Sequence, residues 1–415
     1  MSDAPQAPAS WRARIFGLTW LSYFSYYFAR SNFSVVKKSI EDVGLGTKAD
    51  FALVDTLYLT AYSVGQFVWG FTADTISPRK LIGAGMLATA ALALWAGLSG
   101  TLGVILIAFG LNGLTQSTGW PGNARVTASW FGTQERGIVL GFWGTCYQVG
   151  PLAGTAFAGW LLGAFGWEAA FIGPAIWVAV VGVALVLLVR DKPSDVGFRD
   201  PDAPPPVDRA AARLRRRAAW RAMVRHPGIW FLGANYFCTK FIRYALLFWF
   251  PYYLATQMDM SGPTAAYMSM SFTIGGVLGV VAAGLVADLL FRKRRVAVAA
   301  GSMALLAVGL YVYQLVGASS LVANFASMMF VGAALFGADS LVSGVASQDA
   351  GGPDAAAAAC GFVNGLGSIG AIAQSFAIVY VSDNYGWEAV FYMFIAFAVL
   401  AVFTLLPMWR VRPAD

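Results

Sequence analysis

The stretch Phe165-Gly166-Trp167-Glu168-Ala169-Ala170-Phe171 returns later in the chain as Tyr385-Gly386-Trp387-Glu388-Ala389-Val390-Phe391, an offset of 220 positions. Gly141-Phe142 returns at the same offset as Gly361-Phe362. The stretch Gly70-Phe71-Thr72-Ala73-Asp74 returns 214 positions later as Gly284-Leu285-Val286-Ala287-Asp288. Internal repeats of this kind indicate a chain built from two equivalent halves.

The composition indicates a membrane protein. The 415 residues are 58% hydrophobic and only 12% charged, whereas soluble domains carry about 25% charged residues. A membrane-spanning helix needs about 20 apolar residues. We therefore predict an all-α membrane protein with twelve transmembrane helices in two pseudo-symmetric six-helix bundles. The predicted spans are 15–36, 51–72, 81–99, 102–124, 138–164, 169–190, 228–256, 264–290, 296–316, 319–346, 356–382 and 387–409.

One long polar stretch interrupts the predicted spans and gives the domain bounds. Residues 191–225 are rich in arginine and proline, which is typical of a linker. The sequence therefore predicts an N-terminal six-helix bundle over 1–190, a basic cytoplasmic linker over 191–225 and a C-terminal six-helix bundle over 226–415.

The basic residues predict the orientation in the membrane. Arginine and lysine crowd the segments 209–225 and 292–295, both of which lie between predicted spans. Cytoplasmic loops carry this excess of positive charge, so both termini are expected to be cytoplasmic. The net charge of +7 is thus a sign of topology and not of a nucleic-acid partner. We expect a monomer in the lipid bilayer of a bacterial inner membrane.

Two arginines lie inside predicted spans at equivalent places in the halves. Arg30 and Arg243 are 213 positions apart, as are Tyr23 and Tyr236. An arginine within a span costs at least about 2.5–3.5 kcal/mol, so a matched pair indicates a function. A guanidinium is a planar fork that binds phosphate or carboxylate oxygens two at a time. The pair therefore predicts an anion site.

Several motifs resemble known transporter signatures. Gly70–Asp74 with Pro78-Arg79-Lys80, and its second copy from Gly284 to Arg295, resemble the loop signature of the major facilitator superfamily. The stretches Tyr26-Tyr27-Phe28-Ala29-Arg30-Ser31-Asn32-Phe33, Gly119-Trp120-Pro121 and Arg243-Tyr244 resemble the organophosphate:phosphate antiporter family. This resemblance implies the major facilitator fold, with a substrate site between the halves. It also implies exchange of an organic phosphate for inorganic phosphate, with Arg30 and Arg243 clamping the phosphate.

One position differs from the family pattern. We align Tyr147 with a histidine of the bacterial glycerol-3-phosphate carrier. A tyrosine can donate a hydrogen bond to phosphate, but it cannot carry a positive charge. The organic part of the substrate therefore stays open. Glycerol-3-phosphate and hexose phosphates are nearly equal candidates, with phosphoglycerate behind them.

Lys240 and Asp339 are two further charges within predicted spans. Lys240 lies three residues before Arg243 and shares its helix face. It is either a third phosphate contact or the partner of an acid, for which Asp339 is the candidate. Asp339 either neutralises Lys240 in the empty site or accepts hydrogen bonds from substrate hydroxyls, and we favour the pairing. The other predicted substrate contacts are Tyr27, Tyr62, Tyr147, Tyr267 and Asn364.

A second set of charged residues has a predicted structural role. Asp74 and Asp288 are expected to lie against nearby bases, such as Arg79, in the repeated loop. Arg125 is either a ligand contact or the partner of Asp74 or Glu135 that holds the cytoplasmic gate, and we favour the pairing. Lys37 is expected to mark the outer membrane edge, and Asp55 to be solvated or to cap a helix.

Exchange is the predicted function. Unpaired positive charges repel one another in an empty site, so closure is disfavoured until an anion binds. Return of the carrier then depends on a second anion, and rocking of the halves gives alternating access. The alternatives are a proton-coupled symporter of an organic anion, with Asp339 as the proton site, and a membrane sensor of hexose phosphate. The sequence shows no nucleophile–base pair or metal-ligand set, so we expect no enzyme, cofactor or metal.

Overall fold

The computed structural model describes residues 5–72, 76–201, 220–221, 223–291 and 294–408. Within these ranges the chain is helical between short connections. The only β contact among the described residues is an isolated parallel bridge between Gln6 and Arg199. The predicted all-α class is confirmed.

The helices of the first half follow the predicted spans closely, but three spans are split into two helices. The first span consists of α1 and α2, the fourth of α5 and α6, and the fifth of α7 and α8. The bounds are α1 Ala9–Tyr26, α2 Phe28–Asp42, α3 Lys48–Thr72, α4 Pro78–Ser99, α5 Leu102–Gln116, α6 Gly119–Trp130, α7 Thr133–Trp143, α8 Cys146–Phe165 and α9 Ala169–Leu188.

The helices of the second half are longer. The bounds are α10 Pro227–Gln257, α11 Gly262–Leu289, α12 Arg295–Val316, α13 Leu321–Ser340 and α14 Ser347–Leu405, with a π-helix over Leu341–Ala346 between the last two. Short 3₁₀ helices cover Pro193–Val196 and Leu406–Met408. The chain divides into two compact units, Met1–Pro205 with Ser261–Tyr267, and Pro206–Met260 with Met268–Asp415. The predicted linker lies largely outside the described residues.

The helical run α14 contains two predicted spans. A continuous α-helix of 59 residues would be about 90 Å long, three times the roughly 30 Å core of a bilayer. Gly370 and Phe397 both lie against Phe237, so the run reverses direction between them. Gly386, which lies in that interval, has φ +81°, a left-handed conformation that glycine adopts without strain. The reversal falls between the predicted spans 356–382 and 387–409.

The repeat between the halves is visible in backbone geometry. Gly166, the sequence mate of Gly386, has φ +90°, so both Gly-Trp-Glu stretches hold their glycine at a positive φ. A Cβ atom on Gly150 would lie 3.3 Å from the carbonyl oxygen of Phe24, and one on Gly370 would lie 2.2 Å from that of Phe237. Gly370 is Gly150 shifted by 220 positions, and Phe237 is Phe24 shifted by 213. Each half thus uses an equivalent glycine for an equivalent close helix contact.

Seven of the described helical segments are long and apolar enough to cross a membrane by length and composition. They account for the third, fourth, sixth and eighth to twelfth predicted spans. The predicted spans outside this set include those that carry Arg30, Asp55 and Arg243. The segments are Pro78–Ser99, Leu102–Trp130, Ala169–Leu188, Gly262–Leu289, Arg295–Val316, Leu321–Ser343 and Ala359–Met408.

Candidate functional site

Arg30 lies in the first turn of α2, directly after the break in the first span at Tyr27. Its Nε donates to Gln116 Oε1 at 3.0 Å. Its Cζ lies 4.7 Å from the ring centroid of Tyr27 and 4.8 Å from that of Tyr62. Its Nη2 is buried and meets no hydrogen-bond acceptor among the described residues. The cation therefore lies between two aromatic faces, with no acid pairing it in the described part of the chain.

Gln116 connects Arg30 to the surrounding helices. It is fully buried and accepts from both Arg30 and the Tyr58 hydroxyl, each at 3.0 Å. Its Nε2 donates to the carbonyl of Ala29 at 3.1 Å, and Asn112 donates to the same carbonyl at 2.9 Å. These two amides satisfy backbone next to the helix break, which a membrane interior requires.

The sequence does not identify Tyr58 as a neighbour of Arg30, and it does not favour Gln116 over the other polar residues of the spans. The available signal is spacing, because Tyr58 and Tyr62 are four residues apart on α3 and therefore share a face. Tyr27 and Tyr62, which were predicted as substrate contacts, do lie against Arg30.

A wall of aromatic rings continues from Tyr27. Tyr23 lies 6.0 Å from Tyr27 and 5.0 Å from Tyr147, measured between ring centroids. Trp120 lies 5.4 Å from Tyr147 and 5.7 Å from Trp143. Tyr147 thus belongs to this wall. Tyr267, on α11, is 43% exposed, and the described contacts do not connect it to Arg30.

Arg243, in the second unit, has a carboxylate partner. Its Nη1 donates to Asp339 Oδ2 at 2.9 Å, and its Cζ lies 4.4 Å from the ring centroid of Phe336. The other carboxylate oxygen, Oδ1, is buried without a hydrogen-bond donor among the described residues. The prediction that Asp339 pairs with Lys240 is therefore wrong.

Lys240 is directed at α14 instead. Its Nζ donates to Asn364 Oδ1 at 2.7 Å and to Ser368 Oγ at 3.3 Å, and it lies 5.2 Å from the ring centroid of Tyr236. Residues three positions apart are offset by about 60° around a helix. That rotation directs Arg243 to α13 and Lys240 to α14. The acceptors of Lys240 are neutral, so the cluster of Arg243, Lys240 and Asp339 has a formal charge of +1.

Comparison with known proteins identifies the family. Residues 19–375 match the family model described as Major Facilitator Superfamily. The chain belongs to the Major Facilitator Superfamily. A relative in Chlamydia muridarum (strain MoPn / Nigg), named "Probable hexose phosphate transport protein", is 28% identical over 96% of this chain and 91% of its own. "Sugar phosphate exchanger 3" of Mus musculus is 28% identical over 95% of this chain and 92% of its own.

The fold also matches that of a solved transporter structure. A bacterial homolog to the human lysosomal transporter Spinster has a TM-score of 0.76 at 16% identity, covering 98% of this chain and 100% of the other. The predicted major facilitator fold is confirmed, and the protein is an integral membrane protein of this superfamily.

The repeated Gly-x-x-x-Asp loops hold several of the residues with predicted structural roles. The backbone N–H of Arg79 donates to Asp191 Oδ1 at 2.7 Å, so Asp191 caps the start of α4. Asp288 is exposed, and Asp74 lies outside the described residues. The predicted roles of Asp74 and Asp288 stay predictions.

Glu135 pairs with Arg12, and not with Arg125 as predicted. A hydrogen bond from the Arg12 guanidinium holds the pKa of the Glu135 carboxyl below its usual range. Arg12 approaches from the start of α1, which the sequence spacing does not show. The other predicted partner of Arg125, Asp74, is not described, so that pair stays a prediction.

Asp55 is neither solvated nor a helix cap. Its Oδ2 lies 2.5 Å from Lys37 Nζ, and the side chains of Lys37 and Asp55 are 0% and 2% exposed. The prediction for Asp55 is therefore wrong, whereas the prediction that Lys37 marks the outer membrane edge stays a prediction. A buried cation needs a partner, and α3 supplies it from the neighbouring helix.

Proposed function

We propose that this protein is a secondary transporter that exchanges an organic phosphate for inorganic phosphate by alternating access, with Arg30 and Arg243 as phosphate ligands. The observation that carries the proposal is the surroundings of Arg30. Its guanidinium lies in a predicted span, between two tyrosine rings, with a buried Nη2 that meets no acceptor among the described residues. Phosphate supplies both the negative charge and the acceptor oxygens. The relatives named for hexose phosphate transport and sugar phosphate exchange support the same substrate class.

The charges favour exchange over one-way transport. Arg30 contributes one positive charge in the first unit, and the cluster around Arg243 contributes another in the second unit. Positive charge in poorly solvated surroundings is costly without a counter-ion. Each of these neighbourhoods is therefore stabilised by a bound anion, and return of the carrier is expected to require one.

The two arginines are expected to meet phosphate differently. Arg30 has no carboxylate partner among the described residues, so its guanidinium can bind an anion directly. Arg243, in contrast, is already paired with Asp339 at 2.9 Å. A phosphate that binds Arg243 must compete with the Asp339 carboxylate or share the guanidinium with it. Asp339 is thus an internal counter-ion that lowers the repulsion in the unloaded protein.

Efflux from proteoliposomes tests the proposed exchange. Vesicles containing the purified protein are loaded with radiolabelled inorganic phosphate and diluted into buffers that contain glycerol-3-phosphate, glucose-6-phosphate, phosphoglycerate or no anion. We expect fast efflux with at least one organic phosphate and slow efflux without an external anion. Equal efflux in all buffers contradicts exchange. Binding without any efflux favours a sensor.

A further inference from the structure

Besides the pair of Arg243 and Asp339, the chain has a buried ion pair between α2, which carries Arg30, and α3, which carries Tyr62. Lys37 on α2 and Asp55 on α3 are joined at 2.5 Å, and both side chains are withdrawn from solvent. The Lys37 ammonium also lies 5.3 Å from the ring centroid of Phe33. The pair of Lys37 and Asp55 is the least exposed of the ion pairs described for this chain. Because the lysine is fully buried and held by Asp55, it does not itself present charge to a substrate.

The spacing of this pair matches the spacing of the phosphate site. Arg30 and Lys37 are seven residues apart on α2, and Asp55 and Tyr62 are seven residues apart on α3. Seven residues make about two turns, so each pair shares a helix face, with a rise of about 10 Å. Lys37 contacts Asp55, and Arg30 lies over Tyr62. The two contacts are therefore two rungs of one antiparallel ladder between α2 and α3.

A rung also connects the ladder to α5. Tyr58, between Asp55 and Tyr62 on α3, donates to Gln116 Oε1, which accepts from Arg30 as well. A slip of α3 by one turn would shift its side chains by about 5.4 Å along α2. That shift would remove Tyr62 from the guanidinium and break the bond of Tyr58 to Gln116. The geometry around Arg30 therefore depends on the register of α3 against α2.

The surrounding lipid does little to fix the register of α3 against α2. Between membrane helices the hydrophobic effect is weak, so packing and polar contacts set the arrangement. The α2 helix is held to α9, where Asn32 donates to the Ala170 carbonyl at 3.1 Å. The α3 helix is held to α5, where a Cβ atom on Gly113 would lie 2.2 Å from the Tyr58 carbonyl. The long polar side chains of the ion pair and of Arg30 therefore join α2 to α3 across helices whose backbones are held to other neighbours. A buried ion pair tolerates little sliding, because a displaced charge loses its partner in a poorly solvated place.

We propose that Lys37 and Asp55 are positioning residues for the phosphate site, since their ion pair fixes the register that places Tyr62 and Tyr58 against Arg30. The inference rests on the proposed role of Arg30 as a phosphate ligand. It assigns to a pair remote from the substrate a direct effect on phosphate affinity.

Three variants test this role by phosphate exchange in proteoliposomes. Asp55→Asn removes one charge, K37M/D55L removes both at similar volume, and K37D/D55K reverses them. For the first two we expect the KM for phosphate to rise by about ten- to a hundredfold, the loss that is typical of outer-shell partners in metal sites. The reversed pair is expected to recover much of the wild-type KM, because it restores the rung. Lys38→Met is the matched control, since Lys38 pairs with Asp42 at the exposed end of the same helix.

The KM for phosphate distinguishes an effect of the ion pair on the phosphate site from an effect on the stability of the whole protein. If Asp55→Asn does not insert because it leaves a buried lysine unpaired, the K37M/D55L variant decides. A wild-type KM in K37M/D55L contradicts the proposal, whatever its apparent melting temperature. Arg30→Lys distinguishes the proposed role of Arg30 as a phosphate ligand from the positioning role of the ion pair. Undiminished exchange in that variant removes the proposed role of Arg30 itself, whereas loss of exchange there with a wild-type KM in K37M/D55L removes only the positioning role.

Discussion

Arg243 is held by Asp339 at 2.9 Å between Nη1 and Oδ2. Its sequence mate Arg30 meets an amide and two tyrosine rings instead. The halves therefore repeat in backbone and in the placement of arginine, but they differ in electrostatics. This difference gives each arginine its own expected behaviour on substitution.

Removal of the Asp339 carboxylate should strengthen phosphate binding. In Asp339→Asn the internal competitor for Arg243 is lost, so we expect the Kd for inorganic phosphate to fall about tenfold, equivalent to about 1.4 kcal/mol. Maximal exchange should also slow, because the anion leaves less readily. Calorimetry on the purified protein measures the first effect, and proteoliposome exchange measures the second.

Asp259→Asn is the matched control for that variant. Asp259 is an exposed residue at φ +52°, a conformation that asparagine also tolerates. Weaker phosphate binding in Asp339→Asn would instead assign Asp339 to the substrate contacts. Loss of pH-dependent accumulation with intact exchange would favour the proton-coupled alternative.

Substitution of Lys240 should change the preference among organic phosphates. Lys240 has neutral acceptors, Asn364 and Ser368, so its charge is not cancelled by a direct ion pair. In Lys240→Gln we expect the KM for organic phosphates to rise about tenfold, a change of about 1.4 kcal/mol, with a smaller change for inorganic phosphate. Competition assays with both anions measure this ratio. An equal loss for both would place Lys240 on the phosphate group itself.

Gln116→Leu should weaken phosphate binding through Arg30. The substitution leaves Arg30 Nε and the Tyr58 hydroxyl without their shared acceptor. Unsatisfied buried groups cost about 1–3 kcal/mol each, so we expect a lower apparent melting temperature and a higher phosphate KM. Gln314→Leu is the control, because the amide of Gln314 makes an exposed bond to the Glu388 carbonyl. If both variants behave alike, Gln116 does not support the site.

Gly386→Ala should destabilise the second half. A left-handed conformation costs a residue with Cβ about 1–2 kcal/mol, and Gly386 has φ +81° with open space around a Cβ atom. The control is Gly361→Ala, since a Cβ there also meets nothing within 4 Å and its φ is not left-handed. We expect the apparent melting temperature to fall for Gly386→Ala alone. Equal values for the two variants would contradict the assigned turn.

The fold could be predicted because its signals are local. Apolar length gives the spans, and the offsets between Trp167 and Trp387 and between Arg30 and Arg243 give the halves. The break at Tyr27 could not be predicted, because no glycine or proline lies at that position and the break is supported by Asn112 and Gln116 from another helix.

The charge partners were harder to predict, because they depend on rotation and register between helices. A rotation of about 60° decides that Asp339 meets Arg243 and not Lys240. Likewise, Lys37 and Asp55 look like exposed residues at the membrane edge in the sequence. Only the tertiary fold, which places α2 alongside α3, brings them together at 2.5 Å.

Phosphate counterflow by Arg30→Lys tests the central claim most directly. Lysine keeps the positive charge but loses the planar fork. Arg190→Lys, at the end of α9 with its guanidinium on backbone carbonyls, is the control for an arginine outside the site. If Arg30 binds phosphate through two guanidinium nitrogens, Arg30→Lys inserts normally and loses at least about tenfold in counterflow, or 1.4 kcal/mol, while Arg190→Lys keeps it. Wild-type counterflow in Arg30→Lys would contradict the account.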